Sequence, residues 1–130
     1  MPPKKKSEHL TRLEMEIMNV LWETGPASVQ TVQQRLGRDL AYTTVQTMLN
    51  VLVRKKKVAR TLKDRAYYYR PVVSREKVAG HAIKDLIDRL FGGSAESLVM
   101  SLVESRHITS EKLAKLNRII KDKEARDEDD

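Results

Sequence analysis

The sequence predicts a mainly α fold: a winged helix-turn-helix domain with a small β-hairpin wing, followed by a three-helix dimerisation domain. Three observations predict it. Residues 38–57, RDLAYTTVQTMLNVLVRKKK, form a helix pattern with an apolar stripe on one side and hydroxyl and amide groups on the other, closed by Arg54, Lys55, Lys56 and Lys57. Residues 58–71, VARTLKDRAYYYRP, hold two β-prone runs joined by the charged turn Lys63-Asp64-Arg65. From Ser74 onward the chain reads as amphipathic helices separated by helix stops. A polar-faced helix followed by a basic hairpin is how a winged helix grips DNA, with the helix in the major groove and the hairpin on the backbone beside it.

Each element has a local cause. Thr11 and Glu14 stand in the capping-box relation, with Leu10 and Met15 placed as the hydrophobic staple. Leu13, Ile17, Val20 and Leu21 then recur at helical spacing, Trp22 ends this face, and Gly25-Pro26 stops the helix. Ser28 caps a short second helix bearing Val29, Val32 and Leu36, which Gly37 ends. The third helix is expected over about Ala41 to Lys56, with Val45, Met48, Leu49, Leu52 and Val53 packing on the first two. Val58–Leu62 and Ala66–Val72 are the strands of the hairpin, and Pro71 ends the second. Strand propensity and partial packing account for Tyr67, Tyr68 and Tyr69, and one on the outer face is placed to stack on sugar or hydrogen-bond a phosphate.

Ser74 caps a long helix with Val78, Ala82, Ile83, Leu86, Ile87, Leu90 and Phe91 on one face, broken by Gly92-Gly93. Ser94 caps the next, with Leu98, Val99, Leu102 and Val103, and Thr109 caps the last, with Ile108 and Leu113 as a staple before Leu116, Ile119 and Ile120. The resulting division is a flexible basic arm over 1–9, a winged-helix domain over 10–73, a helical dimerisation domain over 74–121 and an acidic disordered tail over 122–130. The last three helices are too few to make a stable core alone. Their apolar faces need either the same segment of a second chain across a two-fold axis or the 1–73 domain, and the amphipathic length of the helix after Pro71 favours the second chain. The dimerisation residues are then Ile83, Leu86, Ile87, Leu90, Leu98, Leu102, Leu113, Leu116 and Ile120.

Charge points to the same partner. Residues 1–73 carry 14 Lys/Arg against 6 Asp/Glu, whereas residues 74–130 carry 11 against 12. The window Arg38–Arg70 alone holds 9 against 2, a net +7 that equals the charge of the whole chain. Positive charge so concentrated is a footprint for a polyanion. The absence of cysteine excludes disulfides, zinc-thiolate sites and a cysteine nucleophile. His9, His81 and His107 are scattered at no metal-ligand spacing, and Gly92-Gly93 is an isolated helix stop rather than a phosphate loop. No enzyme activity, metal or cofactor is expected. No apolar run approaches the roughly 20 residues that span a bilayer, and the basic start MPPKKKSEHL lacks the apolar core of a signal peptide, so a cytoplasmic location is expected.

The segments LTRLEMEIMNVLW, LAYTTVQTMLNVLVRKK, DRAYYYRPVVSRE and LIDRLFGGSAESLVMSLVE resemble the penicillinase-repressor family of bacterial transcription regulators, the BlaI/MecI/CopY type. The resemblance runs from about Leu10 to Ile120. It implies an N-terminal winged-helix domain, a C-terminal dimerisation domain, and repression by a homodimer on palindromic operators in double-stranded DNA. The family's base-reading positions fall on Tyr42, Thr43, Thr44, Gln46 and Thr47, the polar face opposite Val45, Leu49 and Leu52. Thr44 and Thr47 suit phosphate or a thymine methyl, and Gln46 suits adenine. Asn50 and Arg54 reach the backbone at most, while Lys63 and Arg65 of the wing bind phosphate. Copper-responsive relatives sense metal through C-terminal cysteines, which are absent here. Members inactivated by proteolysis are cut at an Asn-Phe bond in the second dimerisation helix, and Ser101-Leu102 occupies that place. A regulatory protease is thus a candidate partner, with the inducing signal open. The rival reading from another class is a protein-interaction adaptor built on the winged-helix fold; RNA binding is disfavoured for want of an exposed aromatic platform.

Overall fold

The computed structural model describes residues 9–129, so the basic arm expected over 1–9 lies, apart from His9, outside the described residues. The order is α1 (Arg12–Thr24), α2 (Val29–Arg35), α3 (Tyr42–Arg54), β1 (Val58–Lys63), β2 (Ala66–Pro71), α4 (Arg75–Leu90), α5 (Ala95–Glu104) and α6 (Ser110–Asp129). Helices with one small antiparallel hairpin make the fold mainly α. Two compact units part between Ala82 and Ile83.

In the first unit α1 begins on its capping box. Thr11 Oγ1 accepts the Glu14 N–H at 3.1 Å and the Glu14 carboxylate accepts the Thr11 N–H at 2.7 Å, answering two of the amides that a helix start leaves open. Gly25 ends the helix at φ 75°, where a side chain would be strained. Ile17, Met18 and Leu21 of α1, Val32 of α2, and Val45, Leu49 and Leu52 of α3 are wholly removed from solvent. Each such burial contributes roughly 1.5–3 kcal/mol, so one stripe of α3 anchors it to α1 and α2. Val58 and Tyr69 close the core from the hairpin side.

The hairpin pairs Val58 with Pro71 through to Lys63 with Ala66. Its two-residue turn, Asp64-Arg65, has φ 52° and 69°, the positive pair whose twist matches the strands. Ala27 exchanges both backbone hydrogen bonds with Tyr69, at 3.0 and 2.8 Å, covering part of the β2 edge. α3 stops at Arg54 rather than Lys56, because the Lys57 N–H turns back to the Leu52 carbonyl and the Lys56 N–H to Val53, each at 3.0 Å. This Schellman ending puts Lys56 at φ 63°, in the place glycine usually fills.

The partition at Ala82–Ile83 falls inside α4, past the boundary expected at Ser74. The Trp22 indole N–H donates to the Val73 carbonyl at 3.0 Å, and the Arg75 guanidinium stands 5.3 Å from the Trp22 ring centroid. These contacts tie the first turn of α4 to α1. In the second unit, Gly92 and Gly93 take positive φ between α4 and α5, and Ser94 caps α5 through the Ser97 N–H at 3.1 Å. Thr109 caps α6 through the Lys112 N–H at 3.2 Å. The acidic tail expected to be disordered is instead helical through Asp129. Its Lys, Glu, Ala and Arg favour helix, and Asp122 with Arg126 and Lys123 with Asp127 fall four apart with opposite sign. Among the described residues no helix is long and apolar enough to cross a membrane.

Candidate nucleic-acid interface

The candidate interface is assembled on α3. Its helical period puts Val45, Leu49 and Leu52 inward at full burial, so Tyr42, Thr43, Thr44, Gln46 and Thr47 must face out, and all five are exposed. The Gln33 side chain donates to the Leu40 carbonyl at 2.9 Å and fixes the turn that leads into α3. Ala41 is the N-cap and offers no side-chain acceptor, so the first amide answered within the helix is Val45, bonded to the Ala41 carbonyl at 3.2 Å. The open amides before it and the positive end of the helix lie beside the polar ridge, a setting that attracts anions. The missing cap is a feature that the pattern of apolar residues did not reveal.

The basic window divides by what each cation meets. Arg38 pairs with Glu16 at 2.7 Å. Lys55, read from sequence as part of one basic run, turns inward: its Nζ lies 2.9 Å from both oxygens of the buried Glu14 and 3.3 Å from the His9 carbonyl. Burial pushes the Glu14 carboxyl up, but the Thr11 N–H and the Lys55 ammonium outweigh it and hold the group below its ordinary value. Among the described residues, Arg54, Lys56, Lys57, Arg60, Lys63, Arg65 and Arg70 have no carboxylate partner. That is where positive charge remains for a polyanion.

Strand alternation sorts the wing into two faces. Arg60, Leu62, Tyr67 and Tyr69 share the face turned toward α3, and Thr61, Lys63, Tyr68 and Arg70 line a shallow cleft with Pro26 on the other. Lys63 and Arg65 are exposed, Arg65 in the turn itself. Tyr69 is the buried tyrosine, while Tyr67 and Tyr68 stay exposed. Arg54 is exposed at the end of α3, but Asn50 is half-buried and its Oδ1 accepts from both Arg60 Nη1 at 3.0 Å and Tyr69 Oη at 3.1 Å. Asn50 therefore joins the wing to α3. Arg60 was not singled out from the sequence; its place opposite Tyr69 and diagonal to Tyr67 was the available signal.

In the second unit no residue of α5 is buried, and α4 likewise carries none. Ile83, Leu86, Leu90, Leu116 and Ile120 are exposed, Leu90 by 72%, and Ile87, Leu98, Leu102 and Leu113 are half-buried. Ser101 and Leu102 are half-buried inside α5. Among the described residues no group of three or more His, Cys, Asp or Glu is placed to hold a metal ion.

Known proteins resemble this chain along most of its length. The BlaI transcriptional regulator of Mycobacterium tuberculosis is 39% identical over 103 residues, covering 76% of this chain and 75% of that protein. The methicillin resistance regulatory protein MecI of Mammaliicoccus sciuri is 23% identical over 120 residues, covering 91% and 98%. The solved structure of transcriptional regulator Tm0710 from Thermotoga maritima aligns over 91% of this chain and 76% of its own, at 23% identity and a TM-score of 0.47. The family model described as penicillinase repressor matches residues 10–122, which takes in every described element from α1 to the start of the last turns of α6, and the chain belongs to that family.

Proposed function

We propose that this chain is a homodimeric repressor that reads palindromic operator DNA with α3 and steadies itself on the backbone with the wing. Members of its family are DNA-binding transcriptional regulators, not enzymes, and the chain is one of them. The observation that carries the finer reading is the exposed ridge Tyr42, Thr43, Thr44, Gln46 and Thr47 on a helix whose opposite side is wholly buried. Such a ridge can change partners without disturbing the core. Gln46 has the donor and acceptor pair that matches adenine in the major groove, and the flanking threonines suit phosphate or a thymine methyl. Lys63, Arg65 and Arg54 supply charge to the backbone, and Asn50 sits where α3 meets the wing.

The second copy is argued from the uncovered apolar faces of α4, α5 and α6. A two-fold axis through them would set two α3 helices in successive major grooves, roughly 10 base pairs apart. One half-site offers few phosphate contacts, so joining two halves raises occupancy through effective concentration. Loosening the C-terminal helices then releases DNA without touching any base-reading residue. A protease acting at Ser101-Leu102 must first open α5, because both residues lie within the helix. The test is selection of duplexes from a random pool by the purified chain, followed by footprinting and sedimentation. The expected result is a two-fold symmetric footprint with half-sites one helical turn apart and a dimer in solution. An asymmetric footprint from a monomer overturns the proposal.

A further inference from the structure

We infer that Asn50 and Arg60 together form a niche for one DNA backbone phosphate in the angle between α3 and the wing; the inference rests on the DNA-binding reading above. Asn50 Oδ1 takes two hydrogen bonds, from Arg60 Nη1 at 3.0 Å and Tyr69 Oη at 3.1 Å. Two donors fill the lone pairs of that oxygen, so the carboxamide has one orientation and its Nδ2 carries two N–H groups that meet no acceptor among the described residues. Tyr69 is 1% exposed and packed in the core, which anchors Asn50 from beneath.

Arg60 is held from two more sides. It lies opposite Tyr69 in the strand register, and its guanidinium carbon stands 4.3 Å from the centroid of the Tyr67 ring. One of its five N–H donors goes to Asn50, and no carboxylate pairs with it among the described residues. The residue is nevertheless exposed. An immobilised guanidinium with open donors, beside an oriented carboxamide with open donors, is a preformed set of donors for a tetrahedral anion. Holding the fork in place beforehand spares the ordering of a long side chain at the moment of binding. The niche stands beyond the base-reading ridge, where the hairpin meets the third turn of α3, so a backbone oxygen rather than a base edge is its acceptor.

The experiment measures affinity of the full chain for a short mixed-sequence duplex by fluorescence anisotropy across a salt series. Arg60→Gln should flatten the plot of log affinity against log salt by about one unit and weaken binding about tenfold near physiological salt. Arg60→Lys should keep the slope while binding severalfold more weakly, because an ammonium restores the charge but not the fork. Asn50→Asp should flatten the slope as Arg60→Gln does, since its carboxylate pairs with Arg60 and repels phosphate. Melting followed by Trp22 emission checks that each variant is folded at the assay temperature. A folded Arg60→Gln chain with the wild-type slope overturns the niche alone. A wild-type chain with no salt-dependent affinity for duplex overturns the niche and the DNA-binding reading together.

Discussion

Lys55→Met separates a structural lysine from the unpaired cations beside it. Lys55 Nζ lies 2.9 Å from both oxygens of Glu14, a carboxylate in a residue only 1% exposed. Breaking a buried pair by removing one partner costs about 3–5 kcal/mol, because the remaining charge is left without compensation. Here the lysine side chain is 20% exposed and the Thr11 N–H still reaches Glu14, so the low end, about 3 kcal/mol, applies. For a domain of this size that lowers the melting temperature by about 12–24 °C. The pH dependence is set by Glu14, whose folded value lies below its ordinary one in the wild type. Its contribution is therefore present above the ordinary carboxylate range and lost as pH falls through the folded value. In Lys55→Met the buried carboxyl is relieved by a proton, so the gap between the two proteins closes as pH falls. Urea unfolding followed by Trp22, the sole tryptophan, reads this unit. The salt slope for duplex DNA should stay at the wild-type value. A stability loss under about 1 kcal/mol would show a solvent-screened pair. A slope reduced by about one unit would put Lys55 on a phosphate after all.

Gln46→Ala should cost roughly 1–3 kcal/mol on the selected operator and little on random duplex, whereas Lys63→Ala should weaken both alike; equal losses for Gln46→Ala remove its base-reading role. Lys56→Gly relieves a side chain held at φ 63° and should stabilise the first unit by up to about 1 kcal/mol in urea unfolding. Leu90→Asp places a charge at a residue 72% exposed in the single chain, so sedimentation should find folded monomers; a stable dimer would move the interface elsewhere.

Most of the first unit was readable because its determinants are local. The Thr11 and Glu14 cap, the Ser28 and Ser74 caps and the α3 stripe each act within a turn or two of their own position. The hairpin was readable from its turn and alternation, and the tail was misread because low apolar content hid helix formers and opposite charges four apart. The fates of Lys55 and Asn50 were not readable. Nothing in RKKK distinguishes its second residue until Glu14, 41 positions earlier, is brought beside it. Asn50 meets Arg60 and Tyr69 only once the hairpin has folded back on α3.

Because the ridge on α3 adds nothing to the interior, its residues and those beneath it answer to separate demands. Exchanges at Tyr42, Thr43, Thr44, Gln46 and Thr47 should each shift folding free energy by no more than about 0.5 kcal/mol, as surface changes usually do. A reader of bases built on this ridge, as proposed, would be free to drift or be re-engineered in its target while the scaffold stays intact.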